Sequence, residues 1–102
     1  MENQNQNQPP QDLNIELTDD VASGVFSNLA VINHSPTEFV LDFIQVMPGV
    51  PKAKVKSRII LTPEHAKRLL AALSDNLKKY EEQFGAVKDD TYHLNFGKKG
   101  EA

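Results

Sequence analysis

The chain contains no cysteine, so it can form no disulfide and no thiolate cluster, and a structural zinc site of the common kind is excluded. No run approaches the ~18 apolar residues that a membrane span requires. The amino terminus, Met-Glu-Asn-Gln-Asn-Gln-Asn-Gln-Pro-Pro, lacks the basic and apolar regions of a secretory signal, and the cytoplasm is the expected compartment. No glycine-rich phosphate cradle is present, and Asp19-Asp20 is too short for a calcium loop. The formal net charge of -3 with 25% charged residues argues against a surface that seeks nucleic acid generally.

Residues 1–12 form a polar, Asn/Gln-repeating, Pro-ended stretch. It cannot bury enough apolar area to offset its ordering entropy and reads as a disordered arm. Residues 13–86 are expected to form a single domain, and residues 87–102 a flexible tail in which the alternation over 92–96 has the pattern of a short edge strand. A core of roughly 75 residues buries only about 60 to 65% of its surface and is marginal alone. With metal and disulfide chemistry set aside, association is the expected stabiliser.

Leu13, Ile15 and Leu17 alternate with Asn14 and Glu16, the pattern of a half-buried strand, and Thr18-Asp19-Asp20 supplies turn formers. Residues 25–33 are β-rich, and His34-Ser35-Pro36-Thr37 punctuates the chain before a second strand at residue 39. So short a connection makes an antiparallel hairpin, since a parallel return needs a dozen residues or more. Met47-Pro48-Gly49-Val50-Pro51 ends that strand. A further strand follows over Lys54–Leu61, with Val55, Ile59 and Leu61 expected on one face and Lys54, Lys56 and Arg58 on the other. Thr62 fits a helix N-cap, Pro63 the first helical position and Glu64 the positive end of the dipole, placing a helix over Pro63–Phe84 with Gly85 beyond it. Ala66, Leu70, Leu73, Leu77, Tyr80 and Phe84 recur at spacings of four and three, the seam of a packed helix. The fold class is therefore α+β: an antiparallel meander of three or four strands followed by one long helix on one sheet face.

The second strand carries the architectural argument. Residues 39–46 read Phe-Val-Leu-Asp-Phe-Ile-Gln-Val, with Phe39, Leu41 and Phe43 on one face and Val40, Ile44 and Val46 on the other. Two apolar faces require two covering layers, and one helix supplies one. A second copy of the chain is the economical source of the other, which makes Val40, Ile44 and Val46 candidates for self-association.

Lys52, Lys54, Lys56 and Arg58 recur at every second position and are a candidate anion-binding stripe, with strand spacing close to that of successive phosphates. No aromatic is interleaved with them for base stacking, and such charges equally keep a strand face wet and unaggregated. Asp42 inside an apolar strand needs a partner, for which Arg58 is the natural choice. His34, His65 and His93 share no metal-ligand spacing. Ser35 lacks the nucleophile elbow, and Asp42 would lie several residues away along the partner strand, so a His34-Ser35-Asp42 triad is not expected. These residues imply no catalytic site, no cofactor and no enzyme.

Three segments, Ser27-Asn28-Leu29-Ala30-Val31, then residues 34–43, then residues 61–70, match in order and together resemble a family of small bacterial proteins catalogued as a domain of unknown function. The resemblance covers residues 25–82 and implies a shared fold and a cytoplasmic setting, with no activity or site to carry over. The order of strands then helix is also similar to the plan of SecB-type export chaperones, an analogy of fold alone. The expectation is a non-enzymatic homo-oligomeric interaction module, chaperone-like in its use of apolar surface and able to bind a protein partner. Its alternative is a binder of nucleic acid or another polyanion through the basic strand.

Overall fold

The computed structural model describes residues 13–89; the arm over 1–12 and the alternation over 92–96 lie outside the described residues. The elements run α1 (Asp19–Ala22), β1 (Leu29–His34), β2 (Phe39–Gln45), β3 (Lys54–Leu61) and α2 (Pro63–Phe84). The strands form one antiparallel sheet in the order β1-β2-β3. Three antiparallel strands followed by a long helix give the α+β arrangement that the sequence predicts.

Three local expectations need correction. Leu13, Ile15 and Leu17 join no strand and are exposed, because alternation says which side chains share a face but supplies no edge to pair with. The turn formers after them close one turn of helix instead: the N–H groups of Val21 and Ala22 both donate to the Thr18 carbonyl, and the Thr18 hydroxyl donates to Asp20 Oδ1 at 2.6 Å. β1 begins at Leu29 rather than at residue 25. Just before it, Asn28 uses its side chain as a rung of ladder, donating from Nδ2 to the Val46 carbonyl at 3.0 Å and accepting the Val46 N–H at 2.8 Å.

The connections are set by their turn residues. Ser35 Oγ accepts the N–H groups of Thr37 and Glu38 between β1 and β2. After β2, the Val50 N–H donates to the Met47 carbonyl at 3.2 Å, with Pro48 and then Gly49 at φ 79° between them. That is a type II turn, whose third position demands the positive φ a glycine adopts without strain.

Register then assigns the faces. Phe39, Leu41 and Phe43 stand opposite His34, Ile32 and Ala30 on β1 and opposite Leu61, Ile59 and Ser57 on β3. Val40, Asp42 and Ile44 stand opposite Asn33, Val31 and Leu29 on one side and Ile60, Arg58 and Val55 on the other. The step from Phe43 to Ile44 answers a step of two residues on β3, from Ser57 to Val55, so Lys56 is the extra residue of a β-bulge. This overturns the simple alternation along β3. Val55 shares a face with Arg58 and Ile60, and Lys54, opposite Gln45, shares the face of Ile59 and Leu61.

The helix has the boundaries its sequence signals set. Thr62 Oγ1 accepts the His65 N–H at 3.1 Å, Pro63 follows it, and the Gly85 N–H closes the last turn on the Glu81 carbonyl with φ at 95°. Glu64 with Arg68 and Asp75 with Lys79 form ion pairs along its outside. Its main contact with the sheet is to β3, and none of its residues is buried. Among the described residues Leu41, 8% exposed, is the one buried apolar side chain.

Candidate interaction surfaces

Three surfaces follow from this arrangement. The first is the α2 seam. Leu70 is 68% exposed and Leu73 62%, and Leu77, Tyr80 and Phe84 continue the bare stripe to the helix end. Tyr80 and Phe84 lean on each other with ring centroids 4.8 Å apart, which orders the stripe without covering it. From Leu70 to Phe84 these side chains are exposed among the described residues, so much of their apolar area stays in water at a cost near 25 cal/mol per Å².

The second surface is the sheet face that carries Val40, Asp42 and Ile44. Val40 and Ile44 are half-buried and Val46 is exposed just past the strand end. Val55 and Ile60 beside them are exposed, and the bulge brings Val55 there. In the middle, Arg58 Nε donates to Asp42 Oδ1 at 2.7 Å and its terminal nitrogen donates to Oδ2 at 2.9 Å. This two-pronged bond is the strong form of an arginine–carboxylate pair, and it is the partner that the sequence assigns to Asp42. The hydrogen bonds from Arg58 hold the Asp42 carboxyl below its ordinary pKa of 3.8, against the opposing effect of burial, and the same bonds raise that of Arg58. Asp42 is 6% exposed, yet the Arg58 side chain remains 62% exposed. The pair is closed from the carboxylate side and open from the other.

The third surface is basic. Lys52, Lys54 and Lys56 line a shallow hollow with Gln45, Met47 and Val50. The bulge separates Arg58 from Lys54: the three lysines meet at one hollow, while the arginine, on the sheet face opposite to that of Lys54, is committed to Asp42. Sequence alternation missed this because a single inserted residue inverts face assignment from that point on.

The triad residues do not assemble. His34 stacks on Phe39 with ring centroids 5.4 Å apart, while Asp42 faces the opposite side of the sheet three rungs along the ladder. Ser35 Oγ is occupied by the turn it caps. No group of three or more metal-competent side chains occurs among the described residues, and no described helix is long and apolar enough to cross a membrane.

Fold and surfaces together define a small α+β domain whose sheet is built and whose apolar helix face is uncovered. The chain belongs to the family described as a protein of unknown function, DUF3467, whose model matches residues 1–89. No curated protein and no solved structure matches it significantly.

Proposed function

We propose that this protein is a non-enzymatic interaction module that completes its fold by self-association in the cytoplasm and then presents the remaining apolar surface to a protein partner. The observation that carries the reading is the bare α2 seam beside a sheet with a single buried apolar side chain. Large exposed apolar patches mark interaction sites rather than ordinary surface, and a domain this small rarely stabilises itself with so little interior. Val40, Ile44 and Val46, with the Asp42–Arg58 pair among them, offer a second contact surface. A chaperone-like role fits this apolar display. Sedimentation velocity across the micromolar range is the test: a dimer or larger species is expected, and a species of 11.4 kDa throughout would overturn the reading.

The convergence of Lys52, Lys54 and Lys56 on one hollow supports a second reading, in which that hollow holds phosphates of a polyanion. The loss of Arg58 to Asp42 and to the opposite face counts against it. A mobility shift with a single-stranded oligonucleotide at low salt separates the two readings.

A further inference from the structure

The uncovered seam of α2 has enough pattern to specify what lies against it. Its 4-3 spacing places Leu70, Leu77 and Phe84 at the a positions and Ala66, Leu73 and Tyr80 at the d positions of a heptad. The seam then runs the length of a helix of 22 residues, about 33 Å at 1.5 Å per residue. Lys67, Ser74 and Glu81 flank it at the e positions, and Leu69, Asn76 and Gln83 at the g positions.

We propose that the α2 helices of two copies pair antiparallel along this seam, in the register that sets Leu73 against the partner's Leu77. The inference rests on the self-association reading above and names the geometry by which it occurs. In an antiparallel pair a layers face d layers, and this register puts Leu70 against the partner's Tyr80 and Ala66 against the partner's Phe84. The smallest seam residue meets the largest, so the layers have even thickness. A parallel pair would stack Phe84 on Phe84 and Tyr80 on Tyr80 at one end and Ala66 on Ala66 at the other. Charge makes the same choice. Antiparallel helices bring e positions opposite e positions, which sets Lys67 beside the partner's Glu81 at both ends of the contact. Parallel helices would set Lys67 beside Thr62 and Glu81 beside Asn76, with no charge complement. Sliding the antiparallel pair by a heptad either way loses layers and the Lys67–Glu81 match together.

The structure leaves both charges suited to the task. Lys67 has no ion-pair partner among the described residues. Glu81 Oε2 accepts the Val87 N–H at 2.8 Å, which fixes the side chain, and Oε1 has no hydrogen bond among the described residues. Opposed helix dipoles add to the preference.

Because the chain has no cysteine, introduced thiols report the pairing directly. An oxidised mixture of Leu70→Cys and Tyr80→Cys chains should give the mixed disulfide, while neither variant alone should cross-link, its own sites standing about 15 Å apart along the axis. A charge exchange leaves the seam intact: Lys67→Glu and Glu81→Lys should each weaken their own dimer about five- to tenfold and prefer each other when mixed. Effects confined to one chain, including loss of the Val87 contact, cancel in the ratio of mixed to unmixed dimers. Disulfides from either cysteine variant alone would overturn the antiparallel arrangement in favour of a parallel one. A wild-type dimer by sedimentation with no disulfide in any mixture and no charge preference would place the dimer contact elsewhere, overturning this inference while self-association stands. A wild-type monomer would overturn both.

Discussion

β2 and α2 are the two most apolar-patterned segments of the molecule, and they are finished to different degrees. β2 cannot satisfy its own backbone, so it brings β1 and β3 to its edges, and in doing so it half-buries its faces and encloses Leu41 and Asp42. α2 satisfies its backbone internally and is closed by Thr62 and Gly85. Its backbone ladder is made within the helix and capped at both ends, while its packing is unfinished and its seam remains bare. Strand formation obliges neighbours to be found, and β2 finds both within the chain, whereas helix formation allows that search to be deferred to another molecule. Stability should divide along the same line, with a part set inside the chain and a part that depends on protein concentration.

The largest expected effect tests the deferred part. Leu73 lies midway along the seam, and Leu73→Ala should cost about 2 to 5 kcal/mol per chain in denaturant melts, once for each copy in a dimer. The loss should shrink as protein is diluted below the dimer dissociation constant, because Leu73 is 62% exposed in the single chain. A loss independent of concentration would show that the seam is covered within one chain.

Next comes the part built inside. Leu41→Ala empties the centre of the sheet and should cost about 2 to 4 kcal/mol, equally at every protein concentration. If its effect also grew with concentration, the sheet too would depend on the partner, and the contrast between β2 and α2 would collapse.

Asp42→Asn probes the join between the sheet centre and the open face. The carboxyl pKa is lowered in the folded chain by the Arg58 hydrogen bonds, so the folded state favours the ionised form. Its contribution is present above the ordinary value of 3.8 and is lost as pH falls through the lower folded value. The melting-temperature difference between wild type and Asp42→Asn should therefore be flat above about pH 5 and close progressively in acid. A difference that widened in acid would mean that the ion pair opposes folding.

What the sequence made legible was local or compulsory. Thr62-Pro63-Glu64 and Gly85 gave both helix ends because caps act within a few residues. Lys54–Leu61 emerged with its observed bounds because a proline–glycine turn stands before it and a helix cap after it. Arg58 was foreseeable as the partner of Asp42 because a carboxylate in an apolar strand compels one. The bulge at Lys56 was not, since nothing in Lys54-Val55-Lys56-Ser57-Arg58 announces where one residue steps out of register. Nor did the alternation of Leu13, Ile15 and Leu17 reveal that no strand edge receives it. The common face expected for the basic stripe is lost for the first of these reasons, since it depends on an unbroken ladder and the bulge separates Lys54 from Arg58.

The smallest expected effect concerns that stripe. Lys54→Gln with Lys56→Gln alters exposed side chains, and should change folding stability by less than about 0.5 kcal/mol and leave the sedimentation coefficient unaltered. If the hollow held phosphates instead, each lysine would displace counterions, and removing both would flatten the slope of log affinity against log salt by roughly 1.4 units on single strands. Arg58→Gln supplies the internal control. The bulge puts Arg58 on the opposite face, so its loss should leave any such slope unchanged and instead remove the partner of Asp42, erasing the acid dependence that Asp42→Asn erases. A polyanion slope that fell equally for Lys54, Lys56 and Arg58 would mean that the four cations act as one stripe, and that the strand presents to its ligand without the bulge.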